Sequence, residues 1–261
     1  MIRLASATVV GFGAIAIAAC GSDSSTSPTG NNLDVSSLVA ATSTANFTAG
    51  SRALVSLPSD VVEPTINPSL CPFSTANQDF ECSAMTASGL TFTTDFTLLD
   101  ASGHSLSQAV AGTVDQVRAI VDVGGTLSTP TNNASITISS HSDNTLSGIL
   151  ANNRMLNGTS HEHDSVTTGA SGSTSRTVLD ATTTTANLQI PTTAGQWPAT
   201  GTITSDVNTK STIGSLPTVT SSAHFVTTFN GTSTVTAVLT VSGHTTTCQI
   251  DLSGKTAASC S

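Results

Sequence analysis

Tyrosine is absent from this chain of 261 residues, aromatic residues make up only 3% of it and charged residues only 9%. Outer-membrane barrels carry aromatic girdles at both interfaces and a continuous apolar outer band, so the first absence argues against a membrane-spanning barrel. Cations are scarcer still: seven Lys and Arg stand against sixteen Asp and Glu, for a net charge of −9. An acidic chain without a basic cluster has neither the footprint of a nucleic-acid binder nor that of a protein docked electrostatically on anionic lipid. Apolar runs are short as well, the longest extending from Leu4 to Ala19. That falls below the roughly 20 residues of a spanning helix. Yet 37% of residues are hydrophobic, whereas disorder goes with high charge and low hydrophobicity. The polar remainder is mostly Ser and Thr, and threonine is β-branched and favours strands. The composition predicts a β-sheet protein with threonine on its wet face.

The apolar run follows a single cation, Arg3, and fits the h-region of a secretory signal. It ends in Ile17-Ala18-Ala19-Cys20, which resembles the lipobox of bacterial lipoproteins; the alternative is a plain secretory peptide with an incidental cysteine. The lipoprotein resemblance implies cleavage before Cys20, a diacylglycerol on its sulfur and an acyl chain, such as palmitate, on its new amine. Each buried CH₂ adds about 0.8 kcal/mol, so several chains on one residue anchor stably where one is marginal. Gly21 stands where an aspartate would resemble an inner-membrane retention signal, which points to the outer membrane. Gly21 to Asn32 holds nothing to bury and reads as a flexible tether. The expected organisation is a signal peptide over 1–19, the lipidated cysteine and tether over 20–45, and one β-rich domain over 46–261.

With Cys20 assigned to lipid, Cys71, Cys82, Cys248 and Cys260 remain, an even number for an oxidising compartment. Of three connectivities, Cys71 with Cys82 and Cys248 with Cys260 is preferred, because nearby partners meet most cheaply. Structural zinc takes thiolate pairs two to four residues apart, and these spacings are far longer.

From about residue 80, segments of period two alternate with turn residues. Leu90, Phe92, Phe96 and Leu98 share one parity, as do Val117, Ala119, Val121 and Val123, then Ile136 and Ile138, then Val235, Ala237, Leu239 and Val241, then Cys248, Ile250 and Leu252. Such alternation marks half-buried strands. Asn-Gly at Phe229-Asn-Gly-Thr232 and Leu156-Asn-Gly-Thr159 suits type I′ hairpin turns, and Asp100-Ala-Ser-Gly103, Thr131-Asn-Asn133 and Ser253-Gly-Lys255 read as looser turns. Residues 33 to 57 carry only a poor signal for a short helix or edge strand. The fold class is all-β, a mostly antiparallel sheet of eight to ten strands closing as a barrel, a half-barrel or a sandwich.

The series Cys71-Pro72, Asp100-Ala-Ser-Gly103, Asp115-Gln-Val-Arg118, Trp197-Pro-Ala-Thr-Gly-Thr-Ile203, Phe229-Asn-Gly-Thr232 and Cys248-Gln-Ile-Asp-Leu252 resembles a group of uncharacterised all-β envelope lipoproteins of environmental bacteria. That resemblance implies the all-β fold and no particular activity.

Two features bear on chemistry. Gly103-His-Ser-Leu-Ser107 approaches the nucleophile signature of esterases and lipases, with Ser105 as nucleophile and Asp206 and His224 as partners in chain order. A nucleophile elbow needs a sharp strand-to-helix turn, and the spacing of Leu106, Val110, Val114, Val117 and Val121 fits a helix only until Gly112 and the alternation beyond it interrupt. Nothing after Gly125 reads as helix, whereas hydrolases of that kind interleave helices with parallel strands. The second feature is His161-Glu-His-Asp164. On a strand, His161 and His163 share one face, as a His-x-His metal chelate requires, and Glu162 and Asp164 share the other. A third ligand, His141 or His224, must come from a neighbouring strand. Thr-x-Thr runs such as Thr232 to Thr236 lack the fixed repeat of an ice-binding solenoid, and Trp197 reads as a core or rim residue. The sequence thus predicts a lipid-anchored envelope protein with a structural, adhesive or binding role, no catalysis and no cofactor. Its expected partners are membrane lipid through Cys20 and an apolar ligand or envelope protein.

Overall fold

Period-two threonine and valine runs become long strands in the computed structural model. It describes residues 71–261 apart from 88, 111, 130–133, 152, 171–172, 194–195 and 253–258. The signal peptide, Cys20, the tether, the segment 33–57 and the turns at Thr131-Asn-Asn133 and Ser253-Gly-Lys255 lie outside the described residues.

Nine strands of eight to eighteen residues form the body: β4 (Leu90–Leu99), β5 (Gln116–Thr129), β6 (Ala134–Ser147), β7 (Arg154–Ala170), β8 (Ser173–Ile190), β9 (Thr202–Ile213), β10 (Val219–Thr228), β11 (Thr234–Val241) and β12 (His244–Asp251). Four short strands accompany them: β1 (Phe73–Ser74), β2 (Asp79–Glu81), β3 (Met85–Ala87) and β13 (Ser259–Cys260). All belong to one antiparallel sheet in the order β1-β2-β4-β5-β6-β7-β8-β9-β10-β11-β12-β13, with β3 beside β4. The sheet does not close, so a sealed barrel is not formed and the architecture is that of a half-barrel or sandwich. No helix is assigned among the described residues.

Parity decides the two faces. Leu90 and Leu98 of β4 are buried, as are Val117 and Ala119 of β5, Val235, Ala237 and Leu239 of β11, and Cys248 and Ile250 of β12. Side chains from β2 at one end of the sheet and β12 at the other join a single cluster, including Phe80, Leu146, Leu188 and Phe225. The sheet therefore curls so that its inner face packs on itself. A side chain of this size contributes roughly 1.5–3 kcal/mol on full burial.

The turns divide. Asp100-Ala-Ser-Gly103 is a turn as expected: the Asp100 carboxylate accepts the N–H groups of Ser102 and His104, and Gly103 takes a φ of +82°. Asn230-Gly231 lies in the connection between β10 and β11, but only Gly231 of the two has positive φ, so the turn is not type I′. Leu156-Asn-Gly-Thr159 is not a turn at all, for it runs inside β7 at a register shift against β8. There Asn157 Oδ1 accepts the Asn187 N–H at 2.7 Å. A Cβ on Gly158 would lie 2.5 Å from the Asp143 carbonyl oxygen, so this glycine serves close strand approach rather than chain reversal.

Cys71 pairs with Cys82 and Cys248 with Cys260, the nearest-neighbour connectivity. Cys260 sits directly opposite Cys248 across β12 and β13. Each disulfide thus ties down one extremity of the sheet.

Candidate functional site

Ser105 lies in the connection from β4 to β5. It bridges back to Leu99, and the Leu106 N–H bonds the Leu98 carbonyl at 2.8 Å, so the chain reverses beside β4. The Ser105 hydroxyl donates to the Gln78 carbonyl at 2.6 Å. No helix follows it among the described residues, and the next element is β5. The strand-to-helix elbow that would expose this serine is not what the segment builds. Asp206 and His224 do face each other across β9 and β10, with Nδ1 and Oδ1 2.7 Å apart. They lie five and six strands away from β4 in the sheet order, and the structure does not bring them to Ser105.

The His161 to Asp164 cluster falls in the middle of β7, where the strand splits it as its period dictates. Glu162 and Asp164 pair with residues of the inner face; His161 and His163 occupy the outer face. Register then adds neighbours that no local pattern reveals. His141 of β6 lies directly opposite His161, Asp122 of β5 directly opposite His141, Thr182 of β8 on the other side of His161, and Asp180 opposite His163. Beyond Thr182 the same row continues through Asp206 to His224. Neighbouring strands are about 4.8 Å apart, so imidazoles and carboxylates form a lateral band across six strands.

Every ring of this band is held through the same nitrogen. His141 Nδ1 lies 2.7 Å from Asp122 Oδ1, His161 Nδ1 3.2 Å from Thr182 Oγ1, and His163 Nδ1 bonds Asp180 Oδ1. A carboxylate only accepts, so Asp122 and Asp180 place the proton on Nδ1 and leave Nε2 outward. His141, His161, His163, Asp180 and Thr182, with Asp206, Asn208 and Ser139, line a shallow depression of about 320 Å³. Among the described residues, no three His, Cys, Asp or Glu side chains converge as they stand on a common metal position.

On the inner face the two carboxyls perturb one another. Burial, then the Asp164 charge, then a hydrogen bond to Asp164 raise the Glu162 pKa from 4.5 to about 8. Asp164 is also raised, chiefly by burial, against the lowering effect of hydrogen bonds from Glu162 and the Ser139 backbone and of the nearby His163. Asp164 Oδ1 has no hydrogen-bond partner. Burial raises both carboxyls, and the hydrogen bond between them acts in opposite senses, raising Glu162 and lowering Asp164. Elsewhere, Arg118 clamps Asp143 through Nε and Nη2 and holds that carboxyl below the ordinary range.

Asp122, Asp180 and Thr182 are the site residues that sequence reasoning missed. None belongs to a local motif in its own strand, and only the register makes each a partner of an imidazole. Trp197 is half-buried in the connection between β8 and β9. Comparisons with protein-family models, with curated proteins and with solved structures return no match.

Proposed function

We propose that this chain is an exported lipoprotein of the cell envelope, held on the outer membrane by acylated Cys20, and that its open sheet is a binding module without catalytic chemistry. One observation carries the reading. The four described cysteines pair with one another, which suits an oxidising compartment and accounts for every cysteine of the sequence except Cys20. The lipobox-like Ile17-Ala18-Ala19-Cys20 supplies the reason for its being single. Binding rather than catalysis is supported by Ser105, whose hydroxyl is spent on a backbone carbonyl, and by the polar depression on the outer face.

Metabolic labelling with a clickable palmitate analogue tests the anchor. Wild-type chain should take the label and sediment with outer-membrane fractions, and Cys20→Ala should lose the label and pass to the soluble fraction. A Cys20→Ala chain that stays labelled and membrane-bound rules the anchor out.

A further inference from the structure

We propose that the outer face of β7 binds a divalent transition-metal ion, copper or zinc, through Nε2 of His161 and His163, with Nε2 of His141 as a third ligand. The inference rests on the binding-module reading and names its ligand class.

Three observations carry it. First, spacing: His161 and His163 are two residues apart on one strand, which places their Cβ atoms about 6.6 Å apart on one face. Two imidazoles that each reach an ion at about 2.0–2.1 Å span that gap. His141, directly across from His161, is nearer still, since directly opposed Cβ atoms stand about 4.5–5.5 Å apart. Second, orientation: Nδ1 of each of the three rings is taken by Thr182, Asp180 or Asp122. A metal-ligating histidine characteristically gives its other nitrogen to a carboxylate or similar acceptor, which fixes the ring and raises its basicity. Third, access: the side chains of His141 and His163 are 49% and 58% exposed, so the ion reaches the site from solvent and keeps water in its remaining positions.

Imidazole donors favour copper and zinc over the harder calcium and magnesium ions, and copper binds more tightly in the general order of affinities. The rings do not yet converge, because the Asp122 contact draws His141 towards β5 while Thr182 and Asp180 draw His161 and His163 towards β8. His161 and His163 lean the same way and form the primary chelate. His141 joins by giving up Asp122, a contact between two half-exposed side chains that costs little to break. A site of this kind exchanges its ion and does not hold the fold together.

The test is equilibrium dialysis of the full chain against Cu²⁺ and against Zn²⁺, in a Cys20→Ala background so that no free thiol competes. One ion per chain should bind. His161→Ala/His163→Ala should lose it, His141→Ala should weaken it about tenfold, and Asp180→Asn should weaken it by roughly 10–100-fold, as lost ring-orienting partners do. His104→Ala, on a loop outside the band, should leave it unchanged. The electron paramagnetic resonance spectrum of the copper-loaded chain should show imidazole nitrogen couplings that the double variant lacks. Added Cu²⁺ should raise the melting temperature of the wild type and not that of the double variant. Equal metal binding by the wild type and the double variant, or none by either, overturns the site. Neither result touches the lipid anchor, which palmitate labelling reads separately.

Discussion

Replacing Glu162 with Gln should stabilise the protein at alkaline pH and do little in acid. Burial beside Asp164 raises the Glu162 pKa to about 8, so between its unfolded value and about pH 8 the folded chain keeps a proton that the unfolded chain releases. The contribution is fully present below the unfolded pKa and is lost as pH rises towards the folded one. The loss approaches about 1.4 kcal/mol per pH unit at its steepest. Across that window it amounts to a few kcal/mol, on the order of 4, because the alternative is a second buried negative charge on the same face of β7. Glutamine keeps a donor towards Asp164 and never ionises. Thermal melts of both chains from pH 5 to pH 9 should coincide at the acid end and separate at the alkaline end. There the variant should melt roughly 8–16 °C higher, at about 2–4 °C per kcal/mol for a chain of this size. Two curves that run parallel from pH 5 to pH 9 would mean that Glu162 ionises normally in the folded state.

Removing the Cys248–Cys260 disulfide should cost about 3–4 kcal/mol. Closing a loop of sequence separation 12 restricts the unfolded chain by about 3 kcal/mol in the loop-entropy account. Cys248 is fully buried among Val235, Ala237 and Ile250, so replacement with Ala also removes a packed sulfur from the core. The Cys71–Cys82 bridge closes a similar loop, with separation 11, but Cys71 is only half-buried and packs at the margin of the core. Its loss should cost less. Urea denaturation of Cys248→Ala/Cys260→Ala and Cys71→Ala/Cys82→Ala decides the order, and a smaller loss for the first than for the second contradicts it.

Strand parity was the most legible property of the chain. The alternation of Val235, Ala237 and Leu239 predicts a buried row, and all three are buried; the parity of Ile250 likewise places Cys248 inside. What has no period has no signal, which is why β1, β2, β3 and β13, of two or three residues each, escape such reading. Asn157-Gly158 shows a different limit. Asn-Gly satisfies a hairpin turn and a crowded strand equally well, and only the approach of Asp143 and Asn144 tells them apart. At the candidate site, parity separates His161 and His163 from Glu162 and Asp164. It does not reveal that His141 stands opposite His161, because that fact belongs to the pairing of β6 with β7. Ser105 errs in the opposite direction: five residues resemble a catalytic motif, while the turn built by Asp100 takes the serine into a backbone contact.

The two disulfides have a further consequence at the level of many molecules. Strands of fourteen to eighteen residues occupy the middle of this sheet, and its outermost strands are two residues long. A sheet rim is a template on which another chain can add a strand. Among the described residues the outermost strands in the sheet order are Phe73–Ser74 on one side and Ser259–Cys260 on the other, each tied by a disulfide. The bridges therefore hold a short strand over part of each rim, and a thiol reductant that opens them should leave more of β4 and β12 open to strand addition.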